Sequence, residues 1–283
     1  MKIFENKEDL TVFLDAKKNK GLAVGLVPTM GALHEGHVSL ISKGLADNDL
    51  VVVSIFVNPT QFDKEEDLIK YPRTLASDIA LLKTVSEETI LVFAPSVADI
   101  YGTTVASQHF DYDGLEHEME GRFRNGHFDG VGTIVKRLFE IVKPQKAYFG
   151  EKDFQQLMII KKLVAIEKLP VDVVGCDIYR ANDGLAMSSR NMRLAPEYRE
   201  AAPFIYKMLQ AAKTKFATDS AQHIIDWVNL QFENNELLEL EYFIIANAET
   251  LKSIENKTTE SSFRAFIAVY ADGVRLIDNI ALN

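Results

Sequence analysis

Residues 22–41 read LAVGLVPTMGALHEGHVSLI, and the fold turns on this stretch. An apolar run of β type passes through Pro28, Thr29, Met30 and Gly31 into a turn carrying His34, Gly36 and His37, and the spacing beyond predicts a helix over 37–46. His34 and His37 stand three apart where that helix begins, so both rings can face one way. A helix start offers unpaired N–H groups and the positive end of its dipole, which suit an anion such as phosphate. Gly36 between the rings lets a phosphate chain approach the backbone closely, and a histidine proton can be shared with phosphate near neutral pH. The stretch reads as a nucleotide phosphate site at the end of a strand.

Working outward, GLAVGLVPTM (21–30), DLVVVSIFVNP (49–59), ETILVFAPSV (88–97), KAYFGE (146–151) and VDVVGCDIY (171–179) are strand-like. Their near-continuous valine, isoleucine and phenylalanine content fits strands covered on both faces. Helical spacing falls between them over 37–46, 74–84, 131–142 and 153–167. This alternation implies right-handed βαβ units and an α/β fold, a Rossmann-like doubly wound parallel sheet. Ligands of such sheets bind at the carboxyl ends of the strands, where PTMGALHEGH, NPTQF and FGEKDFQQL are expected to lie. After about Arg180 the pattern changes. Residues 196–232 are helical in spacing with Pro196 in a first turn, and LELEYFIIANAETL (238–251) reads as a strand and a short helix. FRAFIAVY and VRLIDNI flank Ala271-Asp272-Gly273, a hairpin signal. The expected organisation is a Rossmann-like domain over 1–177 and a smaller α+β domain over 178–283.

The chain has 283 residues, long enough for two domains or one large one. Its 41 acidic against 31 basic residues give a net charge of −10, which argues against a broad nucleic-acid or anionic-membrane surface while permitting a local basic pocket. One cysteine, Cys176, excludes an intramolecular disulfide and a cysteine-cluster metal site, and its apolar setting reads as a buried core thiol. MKIFENKEDL lacks the basic start and apolar core of a signal peptide, and no apolar run approaches the roughly 20 residues that span a bilayer. The expected setting is the cytoplasm.

Each motif has a plain alternative. HxxH is half a zinc site, but zinc needs three or four protein ligands and no partner cluster is evident. Asn58 and Gln61 of NPTQF can each donate to and accept from a polar ligand, although Asn-Pro is turn chemistry by itself. In FGEKDFQQL, Lys152 is a compact cation that can follow a moving phosphate charge, Asp153 is a helix cap, and Gln156 falls one turn later. GLAMSSRN (184–191) offers Ser188, Ser189 and Arg190 to phosphate, with Gly184 permitting a mobile lid. EGRFRNGHFDGVGT (120–133) combines Arg122, Arg124 and His127 with four glycines and reads as a moving loop over a site. Together these motifs point to a nucleoside triphosphate engaged from several sides. GxxxxGK[ST] is absent, so this is not a P-loop enzyme, and no GxGxxG follows the first strand.

PTMGALHEGH, IFVNPTQF, YPRT, HFDGV, YFGEKDFQQL and DGLAMSSRN, in this order, closely resemble the pantothenate synthetases, or pantoate–β-alanine ligases. The likeness covers nearly all of the first 195 residues, and RLIDNI fits the family's C-terminal strand. HxGH alone marks only the wider nucleotidylyltransferase superfamily, and MSSR looks like its KMSKS loop. The resemblance implies ATP-dependent condensation of (R)-pantoate with β-alanine through a pantoyl adenylate, releasing AMP and diphosphate, with Mg²⁺ and a homodimer. It implies that His34, His37, Met30, Met187 and Gly150 line ATP, with His37 the general acid by analogy. Lys152, Ser188, Ser189 and Arg190 would hold the β- and γ-phosphates, and Asp153 the ribose. Gln61 and Gln156 would bind pantoate, Asn58 pantoate or β-alanine, with Gln61 also near β-alanine. His127 and Arg124 would lie on a glycine-rich flap. Where some members carry an acidic pair after YPRT this chain has Ser77-Asp78, and Asp78 would support hydrated Mg²⁺ through water. The rival readings are a nucleotidylyltransferase acting on another small acceptor and a non-catalytic nucleotide-binding regulator. Paired glutamines favour the ligase over the first, and retention of Lys152, both histidines and both serines argues against the second. A tRNA synthetase fits least, given the charge and no evident anticodon-binding domain.

Overall fold

The apolar run at 24–29 forms a strand in the middle of a six-stranded sheet in which all pairings are parallel. The computed structural model describes residues 1–62, 65–254, 256–258 and 260–283. In chain order the strands are β1 (Lys2–Phe4), β2 (Val24–Thr29), β3 (Leu50–Ile55), β4 (Ile90–Phe93), β5 (Lys146–Gly150) and β6 (Asp172–Cys176). Side by side they run β1-β4-β3-β2-β5-β6. The chain thus builds outward from β2 through β3 to β4, then returns to the other side of β2 with β5. The winding reverses between β2 and β5, and it is outside the carboxyl ends of strands at such a reversal that α/β sheets open a crevice.

Burial on both faces explains the unbroken apolar runs. Val27, Val51, Val53, Ile90, Val92 and Tyr148 pack with Ile41 of helix Glu35–Asp47 and Leu82 of helix Leu75–Val85. Ile41 has no exposed surface, and truncating such a side chain to alanine costs about 2–5 kcal/mol. Helix His127–Val142 buries Val131, Ile134, Val135, Leu138, Phe139 and Val142, the three-and-four spacing that predicts it.

Neither β1 nor helix Lys7–Lys18 has a counterpart in the sequence reading. The helix is capped by Asn6, whose side chain accepts from the amides of Glu8 and Asp9 at 2.9 and 3.1 Å. It buries only Leu10 and Leu14, too thin an apolar stripe to stand out. Cys176 ends β6, at the edge of the sheet, and is half-buried rather than deep in the core.

The chain divides into two compact units, Met1–Glu151 with Gln155–Asp177, and Lys152–Phe154 with Ile178–Asn283. The second holds an antiparallel sheet of β7 (Glu239–Asn247), β8 (Phe263–Ala271) and β9 (Val274–Ala281), in that order. Asp272 and Gly273 join β8 to β9 with φ of 48° and 69°, the left-handed pair that a two-residue hairpin demands. Helices Phe204–Phe216 and Ala221–Glu233 supply Leu209, Ile224 and Val228 to a core shared with Ile245, Ile267 and Val269. The helical span expected over 196–232 is three helices, the first being Pro196–Ala201 with its proline in the first turn. The short helix expected after β7 does not form. Asn247 Oδ1 instead accepts from the amides of Glu249 and Thr250 at 2.8 and 3.0 Å, an Asx turn competing successfully with a helical turn.

Candidate active site

The chain leaves β2 through Gly31 and Ala32, both at positive φ (83° and 50°). An alanine in the left-handed region is strained, and Asp78 holds it there. The carboxylate accepts from the Ala32 amide at 3.1 Å and the Leu33 amide at 2.8 Å, and the Thr74 hydroxyl donates to it at 3.2 Å. Asp78 itself is buried. The turn delivers His34 to the N-cap of helix Glu35–Asp47. His34 Nδ1 accepts from the Gly36 amide at 3.1 Å, and His37 Nδ1 accepts from the His34 amide at 3.3 Å. The ring centroids are 4.1 Å apart. With each Nδ1 accepting a backbone hydrogen, the neutral imidazole carries its proton on Nε2. The helix start therefore presents a pair of rings of the same tautomer.

NPTQF follows β3. Asn58 is 1% exposed, and all four of its valences are engaged. Nδ2 donates to Gln61 Oε1 and to the Gly130 carbonyl, each at 3.2 Å, while Oδ1 accepts from Tyr101 at 2.6 Å and Thr60 at 3.1 Å. Burial pushes the Tyr101 hydroxyl above its ordinary range, against the pull of its Thr60 and Asn58 contacts, so it stays a donor. Gln61 Nε2 in turn reaches the sulfur of Met30 at 3.0 Å. The Gln61 amide is thus oriented by Asn58, which is oriented by Tyr101.

The glycine-rich stretch after Glu120 differs from the moving loop expected of it. Residues Met119–Phe123 and His127–Val142 are helices. A Cβ on Gly130 would stand 2.1 Å from the Thr60 carbonyl oxygen, so the glycine permits close packing against the Pro59–Gln61 turn. His127 Nδ1 donates to the Gln61 carbonyl at 2.7 Å, and Arg124 Nη2 donates to the same oxygen at 3.3 Å. Arg122 pairs with Glu118 at 2.6 Å. Arg124 and His127 therefore clasp the backbone beneath Gln61.

At the end of β5 a Cβ on Gly150 would meet nothing within 4 Å, so packing within the protein does not demand a glycine there. Lys152 Nζ lies 3.6 Å from Asp153 Oδ1, with the lysine side chain 15% exposed. Of the two glutamines that follow, Gln155 is buried, accepting from the Glu120 amide and donating to the Leu115 and Glu118 carbonyls. Gln156 is half-buried. In the second unit the chain folds back on itself, with the Met187 amide donating to the Tyr179 carbonyl at 3.0 Å and the Ala181 amide to that of Leu185 at 2.9 Å. Ser188 Oγ then accepts from the Arg190 amide at 3.3 Å, opening a short helical turn over Ser189–Arg193. Gly184 (φ 94°) would place a Cβ 2.7 Å from the Tyr206 ring, so contact with that ring and a left-handed turn account for it, not a hinge. Arg180 lies 3.6 Å over the same ring and forks onto Asp278 at 2.6 and 3.0 Å. Burial pushes the Asp278 carboxyl up, and the guanidinium opposes that.

The sequence profile of the pantoate-beta-alanine ligase family matches residues 2–281. The chain belongs to the pantoate–β-alanine ligase family. It is 56% identical to the pantothenate synthetase of Christiangramia forsetii over 283 residues, all of both chains. The crystal structure of pantothenate synthetase from Thermus thermophilus superposes with a TM-score of 0.90 at 38% identity, over 100% of this chain and 99% of that one. A pantoate-beta-alanine ligase from Francisella tularensis, complexed with beta-gamma ATP and beta-alanine, gives 0.80 at 35% identity, over 100% and 98%. The chain is thus an ATP-using ligase that joins pantoate to β-alanine, and the simpler nucleotidylyltransferase reading finds no support. Among the described residues no helix is long and apolar enough to cross a membrane.

Within this ligase the described residues do not build a resident Mg²⁺ cage. Both Asp78 oxygens accept from backbone amides, and among the described residues no group of three or more histidine, cysteine, aspartate or glutamate side chains could hold a metal. Asp78 is an anchor of the histidine turn. Sequence reasoning passed over Tyr101, Arg180, Asp278 and Asn279. A signal existed for the last two, since adjacent polar residues interrupt an apolar strand in RLIDNI.

Proposed function

We propose that this ligase works through a pantoyl adenylate, and that the paired histidines are its phosphate contacts. The observation that carries the reading is the tautomer pairing at the helix start, which makes Nε2–H the proton carrier of both His34 and His37. Pantoate's carboxylate is a poor acyl electrophile because its leaving group would be oxide. Attack of a carboxylate oxygen on the α-phosphorus breaks the bond to diphosphate and leaves a mixed anhydride. The β-alanine amine then attacks that carbonyl, the C–N bond forms, AMP departs, and the amine's extra proton is lost. The first step places charge on diphosphate, which preorganised donors stabilise. Lys152, Ser188, Ser189 and Arg190 take the β- and γ-phosphates, His37 is the general acid, and Asp153 contacts the ribose. Met30, Met187 and Gly150 line the nucleotide.

Gln61 and Gln156 hydrogen-bond pantoate, since an amide can donate to a carboxylate and accept from a hydroxyl. β-Alanine, which the Francisella tularensis relative holds together with its nucleotide, sits beside Gln61. Asn58, with its valences engaged, acts by orienting Gln61 and not by touching either substrate. Mg²⁺ arrives with ATP, keeping waters as it commonly does on nucleotide phosphates. A cytoplasmic setting suits the lone Cys176, and a homodimer follows the family resemblance. Isotope exchange between diphosphate and ATP tests the route. Exchange should require pantoate and Mg²⁺ but not β-alanine, and exchange strictly dependent on β-alanine would overturn the stepwise mechanism.

A further inference from the structure

Along β9 the side chains alternate faces, but the alternation of burial lapses. Val274 and Leu276 are buried, and Asp278 continues their phase, yet the next residue, Asn279, is buried as well. Stability supplies no strong reason for the Arg180–Asp278 ion pair, because a buried ion pair is often no better than apolar side chains of similar volume. What Asp278 and Asn279 hold gives one.

Asn279 Nδ2 donates to the backbone carbonyl of Lys152 at 2.9 Å. Its Oδ1 accepts from Arg264, and the Arg264 guanidinium lies 4.0 Å over the ring of Phe154. The three residues Lys152–Phe154 are therefore fixed at both ends from the C-terminal sheet. Arg180 Nη1 donates to Asp278 and, at 3.1 Å, to the Gly184 carbonyl, while Nη2 donates to Asp278 and, at 3.4 Å, to the Asn279 carbonyl. A β-bridge joins Arg180 to Ala186. Two segments far apart in sequence, the Lys152 turn and the loop that begins at Gly184, thus hang on the same dipeptide.

We infer that Asp278 and Asn279, with Arg180, are positioning residues that set the Lys152 turn and the Gly184–Arg190 loop for adenylate formation. The inference rests on the proposed role of Lys152 and that loop in holding the β- and γ-phosphates. Those phosphates leave as diphosphate in the first step, so a positioning defect slows adenylation and spares the amine's attack.

The test compares the half-reactions in Asn279→Asp, which keeps an acceptor for Arg264 but loses the donor to Lys152, and in Arg180→Lys, which can meet Asp278 but cannot fork to both carbonyls. Diphosphate–ATP exchange should fall roughly 10- to 100-fold, the scale of a small misplacement at a reacting centre. Conversion of chemically synthesised pantoyl adenylate and β-alanine to product should keep its wild-type rate. Adding Asn279→Asp to Lys152→Ala should cost little beyond Lys152→Ala alone, because residues acting through one another are non-additive. Equal slowing of both half-reactions, or normal exchange, overturns the inference. If Lys152→Ala slows exchange selectively while Asn279→Asp does not, the inference falls and the role of Lys152 stands. If Lys152→Ala leaves exchange normal, both fall. Circular dichroism establishes that each variant is folded, and Asn279→Ser, too short to reach the Lys152 carbonyl, replaces an aspartate variant that is not.

Discussion

Replacing Asp78 separates an anchor from a metal ligand. In Asp78→Ala the amides of Ala32 and Leu33 lose a charged acceptor at 3.1 and 2.8 Å. Hydrogen bonds to charged groups contribute about 1.5–3 kcal/mol each. Ala32 is 2% exposed, so its amide cannot recover the loss from water, whereas the half-buried Leu33 recovers part. Relaxation of the left-handed Ala32 returns strain of roughly 1–2 kcal/mol. The net cost should be about 2–4 kcal/mol, a large share of a typical 5–15 kcal/mol stability. Asp78→Asn keeps one acceptor oxygen and turns an N–H toward another N–H, so about half that cost is expected. Urea unfolding followed by circular dichroism measures the stability, and diphosphate–ATP exchange across a Mg²⁺ series measures the site. Both variants should lose stability and exchange together, at every Mg²⁺ concentration. An Asp78→Asn enzyme as stable as wild type whose exchange returns with added Mg²⁺ would refute the anchor and restore the metal ligand.

Three more outcomes can be measured. Tyr101→Phe removes the 2.6 Å bond that orients Asn58, so pantoate KM should rise on the order of 5-fold for about 1 kcal/mol with ATP KM unchanged; an equal effect on ATP would exclude a pantoate-specific role. Gly130→Ala must displace the Thr60 carbonyl and should cost about 1–3 kcal/mol by overpacking while also raising pantoate KM, and a variant with wild-type stability would show that the packing is looser than the contact implies. Cys176 is pushed up to about 11 by burial, above its ordinary value, so the neutral thiol persists at pH 8 and thiolate forms only as pH climbs toward 11. Iodoacetamide should label the folded protein slowly at pH 8 and rapidly in urea, and fast labelling without denaturant would contradict it.

The parallel sheet was legible because β2, β3 and β4 are buried on both faces, which writes their strands as unbroken apolar runs. β1 was not, since three residues at a sheet edge carry no period. The histidine turn could be read from His34 and His37 because a helix start has its own chemistry. Glycines misled where packing and flexibility share one residue type: Gly130 and Gly184 answer to the Thr60 carbonyl and the Tyr206 ring, partners that no local pattern names. Asp78 and Asn279 act on backbone groups 46 and 127 residues away, and sequence spacing holds no trace of a bond to a distant main chain.

That last separation bears on how the enzyme is made. Synthesis runs from the N-terminus, so Lys152 leaves the ribosome 127 residues before the asparagine that holds its carbonyl. At about 5–20 residues per second, the interval is roughly 6–25 s. During it the parallel sheet can assemble, since its last strand ends at Cys176, but the Lys152 carbonyl lacks its Asn279 donor. On the role proposed for Lys152, the grip on a triphosphate is complete only once the final strand is added, and a nascent chain stalled before β9 lacks the asparagine that donates to the Lys152 carbonyl.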